Sequence, residues 1–148
     1  MTAYYEIPLG LLEIVFSDAI HGMKLVDRPG NPHTPAPLSD RAIRELNEYL
    51  DGKRRTFDLP LAPEGTAFQQ QVWNALRDIP WGETRSYGQI AAAIGKPGAS
   101  RAVGLACKRN PIWILIPCHR VLGSKNALTG YAGGLKMKKL LLELEHMK

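Results

Sequence analysis

Ser86-Tyr87-Gly88-Gln89-Ile90-Ala91-Ala92-Ala93-Ile94-Gly95-Lys96-Pro97-Gly98-Ala99-Ser100-Arg101-Ala102-Val103-Gly104-Leu105-Ala106-Cys107-Lys108 alternates apolar and polar residues at helical spacing on either side of a glycine-proline break. It predicts two short helices, over about 86–94 and 99–108, joined by the four residues Gly95-Lys96-Pro97-Gly98. That is the spacing of a helix-turn-helix, with the second helix as the recognition helix. Ser100, Ala102 and Gly104 are small enough for close approach to a groove, while Arg101, Lys108 and Arg109 supply positive charge for phosphates. The same small residues equally suit tight packing of helix on helix, and spacing alone leaves both readings open.

Upstream, Thr66 caps a predicted helix over 67–78, with Phe68, Val72, Ala75, Leu76 and Ile79 at helical spacing. The first 65 residues read differently. Strands are predicted over 4–7, 11–16 and 23–26, separated by Pro8-Leu9-Gly10 and by a turn over 17–22. Pro29, Pro32, Pro35 and Pro37 then impose a loop. Ser39 is the expected cap of a helix over 40–51 carrying Ile43, Leu46 and Leu50, and Phe57-Asp58-Leu59 reads as a returning strand. Downstream, the apolar run 112–116 predicts a buried strand or extended segment that delivers Cys118. In an extended chain Trp113, Leu115 and Pro117 would share one face and Ile112, Ile114 and Ile116 the other, one of them bordering a substrate cleft. After the glycine-rich loop 130–134, a last helix over 135–147 is expected to bury Met137, Leu140, Leu141 and Leu144. The predicted fold class is α+β: a small N-terminal antiparallel sheet with one helix (domain 1–65), then a mostly helical C-terminal domain (66–148) containing the helix-turn-helix.

Composition narrows the function classes. With 148 residues, 45% hydrophobic and 22% charged, the chain suits globular folding, and no apolar run approaches the ~20 residues that span a bilayer. The start, MTAYYEIPLG, lacks the basic and apolar regions of a secretory signal, so a cytoplasmic protein with no membrane partner and reduced cysteines is expected. Charge is divided: residues 1–65 carry 7 Lys+Arg against 10 Asp+Glu (−3), and residues 66–148 carry 12 against 4 (+8). One basic half is the footprint of a polyanion binder.

Cys118-His119, following the apolar run, holds the chemistry. A cysteine at its ordinary pKa of ~8.5 is mostly thiol at neutral pH, and the thiolate is the nucleophile, so reactivity needs a nearby base or positive field. His119 and Arg120 follow at once. The bland reading is a buried cysteine beside a surface histidine. A structural zinc site fails on ligand count, since one Cys-His pair with Cys107 on a predicted helix cannot make the four-ligand spacing.

Pro117-Cys118-His119-Arg120-Val121 resembles the signature of the O6-alkylguanine-DNA alkyltransferases, the methylated-DNA–protein-cysteine methyltransferases. Ser86-Tyr87-Gly88-Gln89-Ile90-Ala91, Ser100-Arg101-Ala102-Val103-Gly104, Asn110-Pro111, Gly130-Tyr131-Ala132-Gly133-Gly134 and Glu145 match in the same order. The resemblance covers almost the whole chain, and the N-terminal sheet with its helix is similar to the family's smaller, ribonuclease-H-like domain.

What the resemblance implies is irreversible transfer of an alkyl group from O6-alkylguanine, and from O4-alkylthymine, in double-stranded DNA to Cys118. The second helix would enter the minor groove through Ser100, Arg101, Ala102, Gly104, Lys108 and Arg109. Arg101 would replace the flipped base and Tyr87 would push the phosphate and help rotate the nucleotide. Glu145 would orient His119, which deprotonates Cys118 through a water; Asn110 would hold the turn between recognition helix and nucleophile. Val121, Tyr131, Ala132 and Trp113 would line the base pocket. No cofactor or metal is implied, and a monomer is expected, with cooperativity on DNA left open. Ala132 stands where some relatives carry serine, and residues 1–65 lack the cysteines with which some bind zinc. The rival readings are a non-repairing module that binds alkylated DNA, against which Cys118 speaks, and a cysteine hydrolase, which would have no use for the basic helix pair.

Overall fold

The computed structural model describes residues 1–123 and 134–145. It divides into two compact units, Met1–Glu64 and Gly65–Lys148, and has the predicted α+β character.

In the first unit, β1 (Thr2–Ile7), β2 (Gly10–Phe16) and β3 (Ile20–Val26) form an antiparallel sheet in the order β1-β2-β3. Pro8-Leu9 is a two-residue hairpin loop closed by the Ile7–Gly10 pair, and Gly10 takes a positive φ of 138°. Alternation puts Leu12, Ile14 and Phe16 in the core, together with Leu46 and Tyr49 of α1 (Pro37–Leu50). Two expectations fail here. The helix begins at Pro37, three residues before the predicted start, because a proline in the first turn sacrifices a donor that has no partner anyway. Ser39 is therefore not the cap. Its hydroxyl reaches back to Ala36, accepting from the amide at 2.9 Å and donating to the carbonyl at 3.0 Å. Phe57-Asp58-Leu59 is not a strand. The chain returns only as an isolated bridge, with Ile20 N–H donating to Pro60 O and Ala62 N–H to Ile20 O, each at 2.8 Å.

The second unit is mostly helical: α2 (Ala67–Arg77), α3 (Tyr87–Ala93), α4 (Ser100–Lys108) and α5 (Leu135–Glu145), with a two-residue parallel pair of β4 (Arg85–Ser86) and β5 (Val121–Leu122). Thr66 and Ser86 each make a reciprocal capping box with the glutamine three residues on, Gln69 and Gln89. Trp73 of α2 is buried, and its Nε1 donates to Ala106 O of α4 at 2.9 Å. Gly65 has no room for a side chain, since a Cβ there would lie 2.5 Å from the Trp73 ring.

Residues 112–116 are not extended. Ile112 makes only an isolated bridge, and turns follow: Leu115 N–H donates to Trp113 O at 2.8 Å and Ile116 N–H to Ile112 O at 3.2 Å. Ile114 sits at φ 68°, a left-handed conformation that a β-branched residue rarely adopts. The strict alternation of faces is therefore lost, and every residue from Ile112 to Leu122 is buried. Neither side of the segment is an open cleft wall. The inward stripe of α5 is also not the expected one: Lys138, Leu141 and Glu145 are buried, whereas Leu140 is 44% exposed and Met137 and Leu144 are only half-buried.

Candidate active site

Asn110 organises the turn that carries Cys118. It follows α4, with its backbone N–H donating to Cys107 O at 3.3 Å. Its side-chain Oδ1 accepts from Ile112 N–H at 2.9 Å, while Nδ2 donates to Ile116 O at 2.8 Å and to Cys118 Sγ at 3.2 Å. One amide thus closes the turn and touches the sulfur. A 3₁₀ turn over Cys118–Arg120 then aims three consecutive side chains inward, and Cys118 is 3% exposed.

His119 is fully buried, which overturns the reading of a surface histidine. Its Nε2 lies 2.6 Å from Glu145 Oε2. Arg120 grips the same carboxylate, with Nε donating to Oε1 at 2.8 Å and Nη2 to Oε2 at 3.0 Å, while Nη1 donates to Ile79 O at 2.7 Å. A carboxylate held by a guanidinium in this way is an acceptor, so Nε2 carries the imidazole proton and Nδ1 keeps its lone pair. Nδ1 is buried and has no hydrogen-bond partner among the described residues. Burial pushes the His119 pKa below its ordinary 6.5, against the opposing pull of Glu145. The ring is therefore neutral at physiological pH, with a free basic nitrogen.

Burial also pushes the Cys118 thiol up to about 11, with the Asn110 hydrogen bond and the charge of Lys138 acting in the opposite sense. The resting sulfur is a thiol whose ionisation must be assisted. Lys138 is fully buried, with its Nζ 5.8 Å from the centroid of the Tyr87 ring. Burial lowers its pKa, while the nearby Cys118 and Cys107 raise it. Sequence reading missed Lys138, and it took Arg120 only as positive charge beside Cys118, not as the partner of Glu145. Arg120 lies inside the quoted pentapeptide, and Lys138 lies seven residues before Glu145, two turns along the same helix face.

On the helix pair, Ser100, Arg101, Ala102, Lys108 and Arg109 are exposed. Gly104 instead looks toward Tyr87, since a Cβ there would meet the ring at 3.8 Å, an ordinary contact that alanine could make. Tyr87 is half-buried at the start of α3. Val121 is fully buried, and Trp113, 7% exposed, has a buried Nε1 without a partner among the described residues. Tyr131 and Ala132 lie outside the described residues. Cys107, buried on the inner side of α4, is pushed up to about 12, chiefly by desolvation. Both cysteines are free thiols.

Residues 67–147 match the family model described as the DNA binding domain of 6-O-methylguanine DNA methyltransferase. The methylated-DNA–protein-cysteine methyltransferase of Methanosarcina acetivorans is 47% identical over 150 residues, covering 97% of this chain and 96% of that one. The constitutive one of Bacillus subtilis is 53% identical over 116 residues, covering 78% and 70%. Among solved structures, Mycobacterium tuberculosis OGT in complex with DNA superposes with a TM-score of 0.89 at 46% identity, covering 98% and 92%. An O6-methylguanine DNA methyltransferase from Methanococcus jannaschii gives 0.72 at 29% identity, covering 98% and 93%.

Proposed function

The chain belongs to the 6-O-methylguanine DNA methyltransferase family, and from that premise we propose that it repairs DNA by moving the alkyl group of O6-alkylguanine, and of O4-alkylthymine, onto its own Cys118. The observation that carries this reading is the chain Cys118–Asn110 and His119–Glu145–Arg120, with a thiol followed in sequence by a neutral imidazole whose basic nitrogen is unengaged among the described residues. His119 Nδ1 takes the thiol proton through a bridging water, and Glu145 supports the imidazolium that forms. The thiolate attacks the alkyl carbon in line: the S–C bond forms, the C–O6 bond breaks, and guanine leaves with its carbonyl restored. A thioether is a poor leaving group, so the protein is consumed after one turnover.

The flipped base enters beside Val121, Trp113, Tyr131 and Ala132, and the unpartnered Trp113 N–H supports a polar contact there. Arg101 fills the space the base leaves, with Ser100, Ala102, Lys108 and Arg109 of α4 on the minor groove, Gly104 giving Tyr87 room against the helix, and Tyr87 at the phosphate. The divided charge and the two compact units support separate domains over 1–65 and 66–148. The protein works as a monomer in the cytoplasm. Among the described residues, no helix is long and apolar enough to cross a membrane.

Cys118→Ser tests the assignment. It is expected to abolish loss of methyl from a methylated duplex and to leave duplex binding intact, since phosphate contacts come from α4. Residual transfer in that variant would overturn the nucleophile.

A further inference from the structure

Leu105, on the outward side of α4, has no task in the chemistry above. It is 59% exposed, the most exposed leucine among the described residues. At 100° per residue, Arg101, Leu105 and Lys108 fall within about 60° of one another around the helix, with Ala102 and Arg109 alongside. All five are exposed, whereas Val103, Ala106 and Cys107 on the opposite side are buried. The leucine is thus not spare core. It stands in the middle of a cationic stripe.

The chemistry of that stripe selects its occupant. A second copy of this chain would bring a half carrying +8 against another of the same sign. A lone apolar side chain ringed by cations matches a surface that is anionic at its rims and apolar between them. The minor groove of duplex DNA is such a surface: phosphates line both edges, and the C–H faces of the deoxyriboses form the walls. We propose that Leu105 packs against deoxyribose in the minor groove, one helical turn beyond Arg101, and supplies a salt-independent part of the affinity for duplex DNA. This inference rests on the reading that α4 is the face that docks DNA.

The two contributions separate by their response to salt. Phosphate contacts release counterions and set the slope of log Kd against log salt, whereas apolar burial leaves that slope alone. Fluorescence anisotropy of the full-length protein with a short undamaged duplex, across a salt series, reads both. Leu105→Ala is expected to raise Kd roughly three- to tenfold with an unchanged slope. Leu105→Gln, which keeps the reach but loses the apolar surface, should do the same, and Leu105→Met should bind like the parent. Lys108→Ala should lower the slope by about one. An unchanged Kd in both Leu105→Ala and Leu105→Gln, a changed slope in either, or an effect confined to self-association in sedimentation would overturn the role of Leu105. Salt-independent binding by the parent, or an unaltered slope in Lys108→Ala, would instead remove α4 as the docking face. Since Leu105 is exposed, all three variants should keep the parent's melting temperature.

Discussion

Burial holds both sulfurs protonated, and what separates them is their company. Lys138 lowers both thiols, but Cys118 also has an amide donor and a histidine next in sequence, whereas Cys107, pushed to about 12, has no hydrogen-bond donor on its sulfur among the described residues. Lys138 lowers the Cys118 pKa through its charge, so Lys138→Met should slow transfer to Cys118 by about tenfold near neutral pH, the worth of one pKa unit. The rate profile with O6-benzylguanine should move to higher pH; a slower rate with an unmoved profile would mean that Lys138 acts through packing alone. Glu145 answers a buried charge, Arg120, besides accepting from the neutral His119. Glu145→Gln should cost about 3–5 kcal/mol of stability, because the buried Arg120 guanidinium loses its counter-charge. Urea unfolding measures this, and a loss below about 1 kcal/mol would contradict a dominant ion pair. Cys118, His119, Asn110 and Glu145 were legible in the sequence through motif and order. Lys138 was not, because a lysine on a terminal helix reads as solvated surface until tertiary packing buries it.

The elements read most reliably were those whose ends carry their own chemistry. Thr66–Gln69 and Ser86–Gln89 announce their helices, and the alternating β2 announces its buried face. Misreadings fell where tertiary context overrides local pattern. The β-branched run 112–116 has strand propensity, yet Asn110 ties its two ends and drives Ile114 into a left-handed turn. In α5 the polar residues of the site share the inward stripe with Leu141, so of the four apolar residues expected there only Leu141 is fully buried. Because Trp113 lies in an enclosed turn, Trp113→Ala should cost about 3–5 kcal/mol, as for other emptied aromatic core sites. Trp113→Phe keeps most of the ring; if the indole N–H meets the base, it should weaken binding of O6-benzylguanine while largely preserving the urea midpoint. For α4, the proposed role of the exposed Arg101 in base extrusion predicts that Arg101→Ala slows transfer from duplex DNA far more than transfer from free O6-benzylguanine. Equal losses on the two substrates would assign it elsewhere.

Taken whole, the molecule joins an acidic unit to a basic one that holds both Cys118 and the exposed cationic α4, a division legible from charge alone. Its stability carries the mark of the site. His119 is buried neutral with its pKa below 6.5, so its favourable contribution is present above about pH 6.5 and is lost as pH falls through the folded value. The urea midpoint should begin to decline below about pH 6.5, before most carboxylates titrate. A midpoint constant down to about pH 5 would contradict a buried neutral histidine. On the proposed function Cys118 is a single-use alkyl acceptor. Intact mass after incubation with excess O6-methylguanine duplex, followed by peptide mapping, tests it most directly. The expected result is a gain of one methyl group per molecule, located on Cys118, with Cys107 unmodified and no further reaction. A methyl group on Cys107, or demethylated DNA exceeding the protein mole for mole, would contradict it.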